Sequence, residues 1–419
     1  MKRVQTRVMR SAGTWADKPT RALCLALLFI VFIAATLAAS AEPAQDVTVY
    51  PPQAGNDERI STRQLHWYEN ASPGQFAINY NPVPWKAEYA EQFDELTLGK
   101  YFRLGQEFWT ILDTNIPLTI SGLEVPVGEH YLAVRRSQDG QKWELVLFDA
   151  ASIRAKRLPA GFLHRGTAEG MKVFGAALLR HQPLDEPAEK LTIVLSSKPD
   201  DLKAGLAGEA AKHDTVLLID FGPHRLSAPI EGHWAYPENE FPPHRSIAER
   251  ASTRRYYYRP GVFLGQSVIN YNLVEWRPEH AEKFDELTKG SYWRLGRNFW
   301  TVLDTSTAVE ISGTEIPAGY YYLLVHRSQD GSQWALHVLD PEPVREKHLD
   351  SAQARPEYGL EMPVLYRAPL HFEQGQDVSE RLRVVLSSES ADEPTRVSLE
   401  IAFGPYRLTA AARPIFAQE

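Results

Sequence analysis

The sequence predicts an all-β protein built from two tandem antiparallel β-sandwich domains, each with one short amphipathic helix. One observation behind this prediction is that a long stretch of the 419-residue chain occurs twice, so that Asn79 returns as Asn270 at a spacing of 191 residues (270 − 79). Another is that each copy contains several short strand patterns separated by turn signals. A repeat that keeps its register over many elements indicates two similarly folded units.

The duplication is visible in its motifs. Phe108-Trp109-Thr110 returns as Phe299-Trp300-Thr301, and residues 58–149 align with residues 249–340 without a gap. We therefore divide the chain by this repeat and by composition. The predicted segments are a signal peptide at 1–41, an extended lead-in at 42–57, the first repeat domain at 58–227, a linker at 228–248 and the second repeat domain at 249–419.

Each copy has one helical pattern. Trp85, Tyr89, Phe93 and Leu96 recur at helical spacing, and Gly99 is suited to end the helix. The second copy repeats this pattern, and most remaining segments favour strands. For example, an Asp-Gly pair at residues 139–140 suits the positive φ angles of a hairpin turn.

The first 41 residues predict export. Six basic residues and one acidic residue precede an apolar run from Ala22 to Ala39, and Ala39-Ser40-Ala41 fits a signal-peptidase site. We expect a periplasmic or extracellular protein, with an uncleaved membrane anchor as the alternative because the apolar run is long. Cys24 is the only cysteine and lies in this segment, so the mature chain is expected to have neither disulfides nor thiolate metal sites.

The charge balance argues against nucleic acid as a partner. The whole chain carries −8, and residues 1–41 contribute +5 (six basic minus one acidic), so the remainder carries −13 (−8 − 5). A surface that binds phosphates needs the opposite sign. We therefore expect no nucleic-acid partner, and contact with a membrane only through a retained signal segment.

The second copy resembles the bacterial domain-of-unknown-function family 2911. The resemblance rests on the run from Trp293 to Thr301, on Pro317-Ala318-Gly319-Tyr320 and on Trp334. The first copy is similar but has Phe102 and Glu107 where the family has Trp and Asn. The resemblance, taken as two tandem copies, implies an exported β-rich domain and brings no established activity.

Two equivalent arginines are candidate ligand-binding residues. Arg103 and Arg294 lie between a small turn and an aromatic strand, where a guanidinium could bind a ligand carboxylate. The alternative is an internal ion pair with Asp113 or Asp304 of the same repeat, which is the more common use of such pairs.

Tyrosine clusters supply the other candidates. Rings in a strand alternate between its two faces, so some rings of each cluster should point outward and stack on sugars or contact a protein. The candidates from these clusters are Tyr256, Tyr258, Tyr320 and Tyr322, and Asn298 is a further candidate that is specific to the second copy.

No catalytic residue, cofactor or metal site is predicted. None of the thirteen histidines falls on a histidine of the other copy, which argues against a shared metal or general-base site. A metal or general-base site present in only one copy is still an alternative, for instance at His326 and His337. Motifs for nucleotide binding and for a serine nucleophile are also missing.

The sequence thus predicts an exported, non-catalytic binding or structural component of the cell envelope. Its candidate partners are a glycan or an envelope protein. The alternative is a hydrolase that acts on an envelope or extracellular substrate, with a site in one repeat or between the two domains.

Overall fold

The computed structural model describes residues 48–50, 57–68, 71–196, 215–234, 244–355, 358–388 and 396–416. The predicted signal peptide and most of the predicted lead-in lie outside these ranges. Among the described residues, no helix has both the length and the apolar character needed to cross a membrane. The chain from Val47 to Glu419 falls in one compact unit.

The fold is all-β and antiparallel, as predicted. The strands that precede residue 240 are β1 (Thr48–Tyr50), β2 (Asp57–Tyr68), β3 (Ala71–Tyr80), β4 (Tyr101–Arg103), β5 (Thr110–Thr114), β6 (Leu118–Ile120), β7 (Leu123–Val125), β8 (Gly128–Arg136), β9 (Trp143–Asp149), β10 (Val173–Ser196) and β11 (Thr215–Gly232). The later strands are β12 (His244–Arg259), β13 (Val262–Asn272), β14 (Tyr292–Arg294), β15 (Thr301–Thr305), β16 (Ala308–Ile311), β17 (Thr314–Ile316), β18 (Gly319–Arg327), β19 (Trp334–Leu339), β20 (Val364–Ser388) and β21 (Val397–Ile415).

Each repeat forms a sandwich around its own core. In the first repeat, strands β2, β3, β5, β8 and β9 pair side by side and form a long sheet. The long strand β10 pairs with β9 through its first residues and with β11 through its later ones, so it passes into a second sheet made with β6 and β7. A cluster that includes Phe76, Leu132 and Ile219 fills the space between these sheets. The second repeat has the equivalent arrangement.

The two long sheets are joined edge to edge. Strands β2 and β12 pair antiparallel, and Arg59 lies opposite Arg250, its own equivalent at a spacing of 191 (250 − 59). Both arginines are buried and donate to an asparagine side chain and to backbone carbonyls. The pairing is therefore symmetric about this point, as in an interface where both partners use the same surface.

A third core is shared between the repeats. It contains Trp109 and Tyr131 from the first repeat and Trp300 and Tyr322 from the second. Neighbouring residues of one strand serve different cores, since Leu132 packs in the core of the first repeat while Tyr131 packs in the shared core. The long sheet is thus covered on both faces, by its own second sheet on one face and by the other repeat on the opposite face. The predicted domain boundaries stay predictions.

The helices differ from the prediction of one per copy. The first repeat has α1 (Ala87–Thr97) as predicted and a second helix, α2 (Ala150–Ala155), which Asp149 caps by accepting from the backbone N–H of Ser152. In the second repeat the equivalent of α1 is divided at Lys283 into α3 (Pro278–Glu282) and α4 (Phe284–Thr288), and α5 (Pro341–Glu346) follows β19. Short 3-10 helices occupy Ala160–Arg165 and Ser351–Gln353.

Part of the predicted linker is regular structure. Strand β11 continues to Gly232, where it pairs with β6, and β12 begins at His244. Residues 235–243 lie outside the described ranges. The chain therefore has strand structure over residues 228–232 and 244–248, where the composition favoured a linker.

Candidate functional site

Two of the predicted contact tyrosines are buried, which corrects the expectation that they point outward. Tyr320 and Tyr322 have relative exposures of 4% and 2% and lie in the shared core. Tyr321 between them is also buried, in the core of the second repeat. The prediction assumed that one face of this strand meets solvent, whereas both faces are covered.

The hydroxyl groups of Tyr320 and Tyr322 donate to a carboxylate of the other repeat. Both reach Asp113, at 2.7 Å and 2.8 Å respectively. The Nε of Arg345 donates to the same carboxylate at 3.1 Å, and the two groups form an ion pair. Asp113 itself has a relative exposure of 1%, so three donors from the second repeat compensate a buried charge of the first.

The same arrangement occurs in the opposite direction. The Tyr131 hydroxyl donates to Asp304 at 2.7 Å, and the Arg154 guanidinium lies 3.8 Å from that carboxylate. Tyr131 and Arg154 are the equivalents of Tyr322 and Arg345 at the spacing of 191 (322 − 131 and 345 − 154). We refer to Asp113, Asp304, Glu129, Tyr131, Tyr320, Tyr322, Arg154 and Arg345 together as the interface network.

Glu129 breaks the symmetry of the interface network. It occupies the position of Tyr320, and its carboxylate forms ion pairs with both Arg154 and Arg345. Burial opposes its charge, but the two arginines prevail and hold the pKa of Glu129 below its usual value. Burial raises the pKa of Asp304 to about 6 and raises that of Asp113, against the opposing effect of the arginines. The hydrogen bonds and ion pairs of the interface network therefore connect the first repeat to the second.

The predicted internal partners of the two candidate arginines are wrong. Asp113 and Asp304 are held by the opposite repeat, and neither Arg103 nor Arg294 forms an ion pair or a hydrogen bond with them. Both arginines are half-buried and have no such partner among the described residues. Their guanidinium groups therefore have hydrogen-bond donors that none of the described residues uses.

A glycine turn places Arg294 at the wall of a cleft. Gly296 has φ +109°, and a Cβ there would come within 2.8 Å of the Asn272 backbone oxygen, so the position needs glycine. Asn298 follows in the left-handed region, at φ +65°, and its carbonyl accepts from the Ser351 hydroxyl at 2.7 Å. The turn thereby holds Arg294 beside the 3-10 helix Ser351–Gln353.

The cleft has a volume of about 720 Å³ and lies entirely within the second repeat. Aromatic side chains and three arginines are among the residues that line it. The lining residues used below are Trp276, Tyr292, Trp293, Glu286, Leu287, Arg294, Arg297 and Arg355. A second, more polar hollow of about 610 Å³ adjoins it through Val274, His280 and Arg297. We call the first hollow the arginine cleft.

The arginine cleft coincides with the region that resembles known sequences. Residues 269–393 match DUF2911. This family is described as a protein of unknown function. The resemblance predicted from the motifs is thus confirmed for the second repeat. Comparisons with curated proteins and with solved structures returned no match.

The DUF2911 match contains the aromatic wall and all three arginines of the arginine cleft. The equivalent turn of the first repeat, which follows Arg103, carries a different charge. Gln106 stands at the position of Arg297, and Glu107 stands at that of Asn298. The Glu107 carboxylate forms an ion pair with Arg254 of the second repeat. The excess of arginine is therefore a property of the DUF2911-matched repeat.

The remaining predicted tyrosines lie away from the arginine cleft. Tyr256 and Tyr258 are half-buried, and their rings pack with Phe263. The Tyr256 hydroxyl donates to the Glu107 backbone carbonyl at 3.1 Å, and the Arg254 guanidinium lies 4.4 Å from the centre of its ring. These contacts tie the second repeat to the first. Asn298 is close to the arginine cleft but is not among its lining residues.

The two histidines named above for the second repeat, His326 and His337, lie side by side. The rings of His326 and His337 stack with centres 5.0 Å apart, and the Tyr292 ring lies 5.1 Å from that of His326. Burial is the main cause that lowers the pKa of His337, to about 4, so this imidazole is neutral at neutral pH. Across the described ranges, no set of three His, Cys, Asp or Glu side chains is placed to hold a metal ion.

Proposed function

We propose that this protein is an exported, non-catalytic binding component of the cell envelope, and that it holds a saccharide in the arginine cleft. The observation that supports this is that Trp276, Tyr292 and Trp293 line the same concave surface as three arginines. Aromatic rings offer large, rigid contact area to sugar rings, and a few polar groups orient the ligand. Export is proposed from the predicted signal peptide.

We further propose that the first repeat is a second DUF2911-like copy. Its sandwich has the same strand order, and equivalent residues occupy equivalent places, as with Trp109 and Trp300 in the shared core. The first copy would then contribute mainly to architecture. Its Glu107, close in sequence to Arg103, forms an ion pair with Arg254 of the second repeat.

Binding is favoured over glycoside hydrolysis by the carboxylates of the cleft. Hydrolysis of a glycosidic bond needs two carboxyl groups that face each other across it, roughly 5 to 9 Å apart. Glu286 is the one carboxylate among the described residues that line the arginine cleft. The hydrolase alternative therefore has no specific support from this surface.

The proposal can be tested with the mature chain, from Glu42 onward, in a calorimetric titration against a panel of oligosaccharides. We expect at least one saccharide to bind and to raise the thermal midpoint, since a ligand at a hundredfold excess over its Kd adds about 2.7 kcal/mol of stability. Trp293→Ala should weaken binding by about tenfold or more, which is 1.4 kcal/mol. Phe102→Ala, the equivalent change in the first repeat, is the matched control and should leave the affinity unchanged. Equal loss in both variants would contradict the assignment to the second repeat.

A further inference from the structure

We propose that the arginine cleft selects saccharides that carry a carboxylate group, of the uronic-acid type, and that Arg294 is the residue that binds this carboxylate. This inference rests on the proposed saccharide-binding function and adds the charge class of the ligand.

The charges around Arg294 leave a local positive excess. Arg294 and Arg297 line the cleft, and Glu286 is the one carboxylate among the described residues that line it. Arg355 also lines the cleft but has an interaction of its own. Without Arg355 the lining keeps an excess of one positive charge (two minus one), in contrast to the formal net charge of −8 of the whole chain. A cleft of opposite sign to its protein concentrates small anions.

Arg294 is the guanidinium that is best placed to receive a ligand carboxylate. It is half-buried, and it makes no hydrogen bond or ion pair with any described residue. Burial, which is the largest cause, lowers its pKa, yet the group remains charged at neutral pH. A partly desolvated guanidinium without a partner gains most from a planar, bidentate acceptor.

The Asp350 carboxylate, whose charge acts on Arg294, does not form an ion pair with it. Asp350 contributes to the field at Arg294, but its own oxygens are occupied by Arg63 and by the backbone N–H of Ala352. Asp350 is buried and belongs to the contact between the repeats. Its oxygens therefore hold Arg63 in place, and the donors of Arg294 bind no carboxylate among the described residues.

The neighbouring residues favour a singly charged carboxylate on a sugar ring. Trp276 and Trp293 line the same cleft, and aromatic side chains of this kind suit the flat face of a pyranose. Glu286 also lines the cleft and would repel a dianion such as a phosphate ester more strongly than a monoanion. The cleft thus combines the two elements of a uronate, a ring and one carboxylate.

The first repeat lacks this combination and provides the control. Arg103 corresponds to Arg294, but Gln106 replaces Arg297, and Glu107 places a carboxylate at the same turn. Burial raises the pKa of Tyr256 to about 12, and the charges of Arg254, Glu107 and Arg103 also act on its hydroxyl group. A ligand carboxylate would meet an existing anion there.

The test is a calorimetric titration of the mature chain with oligogalacturonate and with its methyl ester, which has the same rings but no free carboxylate. Mannuronate oligomers and a short peptide with a free C-terminal carboxylate are parallel probes. We expect the free acid of a uronate oligomer to bind at least tenfold tighter than the matched neutral compound. Arg294→Gln should remove this preference, and Arg103→Gln should retain it.

The outcomes separate the two proposals. If neutral and acidic oligomers bind equally, the carboxylate inference is wrong while saccharide binding stands. If neither uronate nor neutral oligomer binds, both proposals are wrong, and binding of the peptide alone would assign the cleft to another class of ligand. Loss of the preference in the Arg103→Gln variant, or its persistence in the Arg294→Gln variant, would overturn the assignment to Arg294.

Discussion

The Asp113 carboxylate offers the clearest test of how the two repeats are held together. We consider Asp113→Ala, which removes the acceptor of the Tyr320 and Tyr322 hydroxyl groups and one of the two carboxylates that pair with Arg345. All three donors are buried and come from the other repeat. The variant therefore leaves two hydroxyl groups and part of a guanidinium without an acceptor in the shared core.

The magnitude follows from the number of donors. A hydrogen bond to a charged group contributes about 1.5–3 kcal/mol, so three donors give an upper limit of about 9 kcal/mol. The Asp113 charge is itself costly to bury, and Arg345 keeps its ion pair with Glu129 at 2.8 Å. Removal of one partner from a buried pair typically costs about 3–5 kcal/mol, and we expect a loss in this range. Asp113→Asn keeps one acceptor oxygen and should lose about half as much.

The assay is urea unfolding of the mature chain, followed by far-UV circular dichroism. Asp94→Ala is the control because Asp94 forms an ion pair with Arg136 while its side chain stays 70% exposed, and such pairs contribute at most about 1 kcal/mol. A free energy of unfolding for Asp113→Ala within 1 kcal/mol of that of Asp94→Ala would refute the reasoning. The interface network would then be a consequence of the association of the repeats and not a cause of it.

Two further predictions concern single groups. Asp304 has a pKa of about 6, raised from 3.8 chiefly by burial, so the folded state takes up a proton at higher pH than the unfolded chain. The stability of the wild type relative to Asp304→Asn should therefore fall as the pH rises from about 4 to about 6, which paired urea titrations at several pH values can measure; a constant difference would contradict this. Gly296→Ala should lower the free energy of unfolding by about 1–3 kcal/mol because of the positive φ of this residue. The loss should exceed that of Gly313→Ala, since a Cβ at Gly313 meets nothing within 4 Å. Equal thermal midpoints of the two variants would argue against the close approach of residue 296 to Asn272.

The strands and the repeat could be predicted because both are local or periodic properties of the sequence. The constant spacing placed β5 and β15, and the motif around Arg294 identified the family of the second repeat. The contacts between Asp113 and its donors could not be found in this way, since Asp113 and Tyr320 are separated by 207 positions in the chain. Hydrophobic alternation identifies which face is apolar but does not identify its partner.

One signal for the buried tyrosines was nevertheless present. The run from Tyr320 to Val325 is apolar or aromatic at every position, and a strand that is buried on both faces has this continuous pattern. The prediction treated the run as alternating and placed some of its rings in solvent. Arg154 and Arg345 were a second signal. They are charged residues at equivalent positions after strands β9 and β19, which suggests that each has an acidic partner in an equivalent place.

Glutamate occupies position 129, whereas tyrosine occupies the equivalent position 320 of the second repeat. This difference affects how two identical repeats would associate. If two second repeats associated with each other, each Asp304 would meet Tyr320, Tyr322 and Arg345 of the other copy, as Asp113 does now. If two first repeats did so, each Asp113 would face a glutamate. The second repeat thus has the groups for a symmetric association with itself, whereas a symmetric pair of first repeats would place Asp113 opposite Glu129. The tandem chain supplies each repeat with a complementary partner at a fixed one-to-one ratio.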